Sequence, residues 1–285
     1  MQDPFFPFKT LLFGFAFSPT LEANIRETTR IAHFFKAKLI LLHVGEESPE
    51  KTAKINGLLA AIDYSDFEIE IHWQKGKPVE TILQACGDFK VDLLILGAVQ
   101  HENMYQFYVG SIARQLTRKV GCSVLLLIKP SLERVSCKNV VVNGLDAPET
   151  PVAITDAFYV AEALDAQQVT IVEEIKQKEV HVTVEDDKSL RKATMIKEKL
   201  KKREDSRVQL ILNTLPQELR DRVKVKTQGI FGERGYSIGH YAEVVRADLL
   251  VMNAPKKTRL IDRIFPHDIE YILSDLPTDL LIIRK

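Results

Sequence analysis

Apolar residues along this chain gather in short unbroken blocks instead of alternating with polar ones. Leu11 to Phe17, Leu39 to Val44, Leu93 to Leu96 and Val124 to Ile128 punctuate the first half. A block of this length with no polar face predicts a strand covered on both sides, as in a parallel sheet flanked by helices. Between the blocks the period changes. Leu21 to Phe35 sets Ile25, Thr28, Thr29 and Ala32 on one side, and Val79 to Cys86 groups Val79, Ile82, Leu83 and Cys86. Both spacings predict helices laid on the sheet.

The pattern then repeats. KTLLFGFAFSPTLEANIRETTRIAHFFKAKLILLHV, from Lys9, runs beside KNVVVNGLDAPETPVAITDAFYVAEALDAQQVTIVEE, from Lys138, without a gap: Lys9 on Lys138, Pro19 on Pro148, Ala37 on Ala166. Further on, GKPVETILQACGDFKVDLLILGA from Gly76 runs beside GERGYSIGHYAEVVRADLLVMNA from Gly232, with Ile82 on Ile238, Asp92 on Asp248 and Ala98 on Ala254. The offset grows from 129 to 156, so the second copy carries 27 additional residues near 176–222. A repeat of this kind predicts two like domains, 1–130 and 138–285, with SLERVSC (131–137) as linker.

The insertion has its own pattern. From Lys188 to Arg207, nine Lys or Arg stand against three Asp or Glu, and Leu190, Ala193, Met195, Ile196 and Leu200 fall at rough helical spacing. Such a helix either docks on a protein partner or a membrane surface, or packs its apolar stripe on its own domain. Just before it, EVHVTVED alternates through Val180, Val182 and Val184 and predicts an extra edge strand or a ribbon arm.

Composition narrows the class. The 285 residues balance 39 basic against 39 acidic groups, which gives no sign of a nucleic-acid partner. Cys86, Cys122 and Cys137 lack CxxC spacing and are expected as free thiols of a reducing compartment. The apolar run in FKTLLFGFAFSPT is only about seven residues long and no small-residue cleavage site follows, so it predicts a buried strand rather than a signal peptide. No run approaches the roughly 18–20 residues a membrane span needs. A cytosolic protein without membrane insertion is expected. The seven histidines show no HxH or HExxH spacing, so no metal site is expected. Ser111 has no GxSxG setting, and no nucleophile constellation argues for an enzyme. Asp92 and Asp248 recur just ahead of a buried strand and are expected to serve turns or caps.

The strand, SP turn and helix at the start, then AKLILLHV, GKPVETIL, VDLLILGA and GSIARQLTRKVGCSVLLLIKP, resemble universal stress protein domains in layout. Both halves share the resemblance, so the likeness is to the tandem form of that family. It implies α/β fold class: two tandem Rossmann-like domains, adenine nucleotide alpha hydrolase-like, each a mainly parallel five-stranded sheet with helices on both faces. It implies a bacterial, cytoplasmic, non-catalytic stress-response or regulatory protein, with slow ATP hydrolysis at most. It also implies pseudo-twofold pairing of the domains through their last strands, SVLLLIKP and DLLIIRK, and leaves room for further pairing as a homodimer.

The family's nucleotide signature is GxxGx9G(S/T), ahead of a helix and a final strand. A glycine at a strand end lets backbone N–H groups approach a phosphate, and a helix N-terminus favours an anion. Here Gly97, Gly110 and Ser111 keep the spacing, Gln100 stands at the middle glycine, and Ala16 stands where the family places an Asp. Val44 falls near the base. Two readings follow: ATP or ADP bound by the first domain at Ala16, Val44, Gly97, Gln100, Gly110 and Ser111, or a nucleotide-free site that Tyr105, Phe107 and Tyr108 fill or cover. Ser18 is read as a helix cap at least as readily as a ligand contact. In the second half the counterparts are Asn253, Lys256, Pro266 and His267, with Leu145 at the Asp position.

Overall fold

A computed structural model describes residues 7–62, 67–97, 99–100, 107–128, 130–133, 135–180, 182–254 and 267–284. The first half runs β1 (Thr10–Phe15), α1 (Leu21–Phe35), β2 (Lys38–Val44), α2 (Pro49–Ala60), β3 (Ile69–Gln74), α3 (Pro78–Asp88), β4 (Leu93–Gly97), a short pair β5 (Val99–Gln100) and β6 (Phe107–Tyr108), α4 (Ser111–Lys119) and β7 (Ser123–Leu127). The second half runs β8 (Asn139–Asn143), α5 (Thr150–Ala163), β9 (Gln168–Lys176), α6 (Asp187–Leu212), α7 (Gln217–Asp221), β10 (Lys224–Gly232), α8 (Tyr236–Val244), β11 (Leu249–Asn253), α9 (His267–Ser274) and β12 (Asp279–Ile283). The apolar blocks are strands and the 3.6-period segments are helices, as their patterns predict.

Ten strands form one sheet in the order β10-β9-β8-β11-β12-β7-β4-β1-β2-β3. Neighbours are parallel except at the centre, where β12 meets β7 antiparallel. Each half contributes the same five-strand order, mirrored about that seam. Leu281 pairs with Leu125, its own counterpart in the repeat, and the flanking pairs are Leu280 with Leu126 and Ile282 with Val124. Phe13, Ile25, Val142 and Ile154 pack in one apolar layer. Leu12, Leu116, Val141 and Ile272 pack in the other. Corresponding residues thus lie on the same side, so the pseudo-twofold axis stands perpendicular to the sheet. The strand C-terminal edges of the two halves therefore point in opposite directions.

Polar side chains fasten this frame where strands begin. Asp92 Oδ2 accepts the N–H groups of Lys9 and Thr10 at 2.9 and 3.0 Å, and Asp248 Oδ2 accepts those of Lys138 and Asn139 at 2.7 and 2.9 Å. The recurring aspartates thus tie the start of each first strand to the strand beside it. At the seam, Arg284 N–H donates to Ser123 Oγ at 3.0 Å, and Ile128 N–H donates to Asp279 Oδ1 at 2.7 Å. These two bonds are one bond repeated by the pseudo-symmetry, since Ser123 and Asp279 are counterparts. Arg284 goes further: its guanidinium donates to Thr117 O at 2.7 Å and Val120 O at 2.8 Å, closing the C-terminus of α4 in the other half. Burial pulls its pKa down to about 10. On the surface, Arg118 grips Glu270 with two hydrogen bonds of 2.5 and 2.7 Å.

Two expectations need correction. The repeat does contain a gap: Gln167 and Gln168 both donate to Lys138 O, where Lys38 alone donates to Lys9 O. This additional residue shifts the match in β9 by one, so Leu11–Leu39 corresponds to Val140–Val169. His43 then matches Glu173, and Val44 matches Glu174. Second, the described residues show no strand at Val180, Val182 and Val184. Gln177–Val180 form a single 3-10 turn that buries Val180, and Val184 is exposed. The chain there is committed to a helix start, since Asp186 and Ser189 form a capping box for α6. Alternation also needs a free edge, and β9 already has β8 and β10 on its two sides.

The insertion lengthens the crossover between β9 and β10: α6 has 26 residues where α2 has 12. It lies on its own sheet, burying Ala193, Val208 and Leu212, while the Lys197 and Lys201 amines sit 5.5 and 5.7 Å from the Phe231 ring centre. Leu190, Met195 and Leu210 remain exposed.

Replacing Arg284 with Ala strips two buried carbonyls of their donors and should cost about 2–4 kcal/mol. Arg118→Ala should cost about 1 kcal/mol or less. Denaturant unfolding of both variants checks this contrast.

Candidate functional site

In an open α/β sheet the ligand crevice lies outside the carboxyl ends of the strands. In the first half that edge is made by the ends of β1, β2 and β4 and the start of α4. Of the sequence-predicted residues, Ala16 follows β1 and is exposed, and Val44 ends β2 half-buried against the layer containing α3. Gly97 ends β4. Gln100 lies in β5, paired with Phe107 of β6. A two-stranded hairpin thus stands where a glycine-rich cradle would wind, and the side chains of Gln100, Phe107 and Tyr108, like Tyr105, lie outside the described residues. Gly110 precedes α4 and makes no side-chain cap, and Ser111 is exposed at its first turn. Ser18 caps no backbone N–H; its hydroxyl lies 3.2 Å from that of Thr20.

Aromatic rings occupy the space above β1, β2 and β3. Phe17 stacks on Trp73 at 6.3 Å with 12° between the planes, and His43 lies 5.2 Å from both. Phe15 completes the group, 5.3 Å from His43 and 6.1 Å from Trp73. His43 Nδ1 lies 3.1 Å from Phe15 O, which fixes the imidazole in the cluster.

The other side of the crevice holds Asn24, 5% exposed. Its amide donates to Thr20 O and Thr20 Oγ1 at 3.0 and 3.2 Å, and a Cβ on Gly97 would come within 3.2 Å of it. The second half makes the reverse choice. Asn253 replaces Gly97, Ala153 replaces Asn24, and Asn253 Nδ2 donates to Thr150 Oγ1 at 3.0 Å. One carboxamide fills this space in each half, supplied by the helix in the first and by the strand in the second.

The second half also inverts the aromatic cluster. Strand register matches Phe15 with Gly144, His43 with Glu173 and Trp73 with Gly229, and Phe17 corresponds to Asp146. Three rings and an imidazole become two glycines and two acids. Arg207 of α6 enters the freed space, donating to Gly144 O and lying 3.7 Å from Glu173 Oε1 and 3.1 Å from Glu204 Oε2. Gly144 has to be glycine: a Cβ there would stand 2.8 Å from Ile171 Cγ2 and 3.0 Å from Glu173 Cγ. Glu173 is 4% exposed, and neither of its oxygens has a hydrogen-bond partner among the described residues. Burial pushes its carboxyl up to about 8, against the pull of Arg207 and with Glu204 and Asp205 adding to the rise. Its neighbour Glu174, also buried, faces the other side and accepts the N–H groups of Gly235 and Ile238 at the start of α8. The paired glutamates were not singled out from sequence. Their signal was a polar pair ending an apolar strand block. Lys256 and Pro266 lie outside the described residues, as does the His267 side chain. The three cysteines form no disulfide.

Residues 46–127, from α2 through β7, match the model of the universal stress protein family. This segment of the chain is similar to a universal stress protein domain. No curated protein matches the sequence. Among solved structures, a functionally unknown protein from Pseudomonas aeruginosa is similar over 97% of this chain and 92% of its own, with 14% identity and a TM-score of 0.69. A universal stress protein from Archaeoglobus fulgidus is similar over 96% of this chain and 98% of its own, at 14% identity and a TM-score of 0.63. The cytoplasmic domain of a prokaryotic cation chloride cotransporter is similar over 97% of this chain and 95% of its own, at 14% identity and a TM-score of 0.51. At these identities the likeness is one of fold. No helix among the described residues is long and apolar enough to cross a membrane.

Two predictions follow from this geometry. Gly97→Asn should destabilise the protein by crowding Asn24, and adding Asn24→Ala should recover much of the loss, a coupling of about 1–2 kcal/mol in a double-mutant cycle of thermal unfolding. For Glu173, the folded-state pKa of about 8 lies above the ordinary carboxyl value of 4.5. The folded protein therefore holds a proton that the unfolded chain releases, and stability falls as pH rises from about 4.5 to about 8. Glu173→Gln should melt higher than the native protein by a margin that widens across that window and then levels off.

Proposed function

We propose that the chain is a tandem universal stress protein, with domains 1–130 and 138–285 joined by residues 131–137, and that it works as a non-catalytic regulatory module rather than as a nucleotide-turnover enzyme. The observation that carries this reading is the Phe15, Phe17, His43 and Trp73 cluster. It lies over the ends of β1, β2 and β3, next to the strand-end crevice of the half that keeps Gly97, Gly110 and Ser111 at family spacing. Ala16 supports it, since a methyl group cannot accept a hydrogen bond from a ribose. Asn24 supports it as well by standing against Gly97. A regulatory module has to touch something, and the exposed Leu190, Met195 and Leu210 of the basic helix α6 offer a protein partner a surface. The last strands are already paired with each other within the chain, so a homodimer would use a different face.

The second reading, ATP or ADP in the first domain, draws on Gly110 and Ser111 opening α4 toward solvent. Thermal unfolding separates the two. With millimolar Mg-ATP or Mg-ADP the melting temperature should stay unchanged, and Gly110→Val should respond like the native protein. A nucleotide-dependent rise that Gly110→Val abolishes would establish the second reading.

A further inference from the structure

Where the first half stacks aromatic rings, the second half has an open cavity of about 380 Å³ between β9, β10 and α6. Glu173, Lys201, Lys202, Asp205, Thr227, Gln228 and Gly229 line it. Gly229, opposite Glu173 on β10, stands at the register position that Trp73 holds in the first half, so no ring enters this space. The volume lies in the range of small-molecule pockets.

Glu173 sets the chemistry. An ionised carboxylate can accept about four hydrogen bonds, and Glu173 accepts none from the described residues. Arg207 approaches one oxygen at 3.7 Å but spends its hydrogen bonds on Gly144 O and Glu204. An acid buried to this degree without a partner is unfavourable while ionised, or is left neutral, until a donor arrives. At the rim stand two lysines. One oxygen of Asp205 accepts from Thr227 Oγ1.

We propose that this cavity binds a small zwitterion, with a guanidinium or ammonium head on Glu173 and an anionic tail between Lys201 and Lys202. The head supplies the donors that the buried carboxyl lacks, and the tail offsets the two lysines. The charged groups around Glu173 are Arg203, Glu204, Asp205, Arg207, Lys201 and Lys202 of α6 and Asp146 of the turn after β8, while β10 presents only Thr227, Gln228 and Gly229 to the cavity. The site is independent of whether the first half takes a nucleotide.

Calorimetric titration of the full chain with L-arginine and with agmatine, which lacks the carboxylate, tests it. L-arginine should bind, and agmatine should bind several-fold more weakly. Glu173→Gln, which keeps the side chain's shape, should weaken both by at least roughly tenfold. Lys201→Ala with Lys202→Ala should bring L-arginine down to the level of agmatine. At pH 7, binding should release a proton from Glu173, read as a heat that depends on the buffer's ionisation enthalpy. No binding of either compound at millimolar concentration by the folded protein overturns the proposal, and so does unchanged affinity in Glu173→Gln. Equal affinity of the native protein for L-arginine and agmatine overturns its tail.

Discussion

Leu125 and Leu281 face each other across the antiparallel seam between β7 and β12, and the arrangement of both halves depends on that contact. Each strand is apolar on both faces, and unpaired it would expose a row of backbone donors and acceptors. Pairing them satisfies both edges at once and joins two five-strand blocks into one sheet. Ser123 and Asp279 set the register from either end, and Arg284 carries the join into the helix layer by closing α4. Because the seam is antiparallel, it sends the two strand C-terminal edges in opposite directions. The halves thus have separate crevices, free to change independently.

They have changed in opposite senses. The first crevice is packed with rings, gaining apolar burial and edge-to-face contacts at the expense of open space. The second has exchanged those rings for glycines and acids, and a longer α6 closes over the result. Arg207 balances part of the acidity, but Glu173 keeps an unmet demand for donors. The same scaffold thus carries one strand end covered by rings and another that is polar and open.

Much of the scaffold is legible in the sequence because apolar blocks and 3.6-residue spacing reflect burial, which this sheet enforces at every strand. The seam could be expected from two final strands with no polar face. The one-residue gap at Gln167 could not, since a bulge leaves the surrounding pattern intact and shows only in which carbonyl accepts which N–H. The strand expected at Val180 to Val184 failed for a related reason: alternation reports propensity, not whether an edge is free. The crevices were least legible. Gly97, Gly110 and Ser111 keep their spacing, yet Asn24 stands against Gly97 and the rings of Phe17 and Trp73 stack over the neighbouring strand ends, residues distant in sequence and unremarkable one by one. Glu173 drew no notice because a gapless repeat set Val44 against it, and the register of β9 moves that match to His43.

The central claim, that the first crevice is filled by its own side chains and carries no nucleotide, is tested most directly by denaturing freshly purified protein and analysing what it releases. The account predicts no adenine nucleotide in the supernatant, and a stoichiometric quantity of ATP or ADP would contradict it.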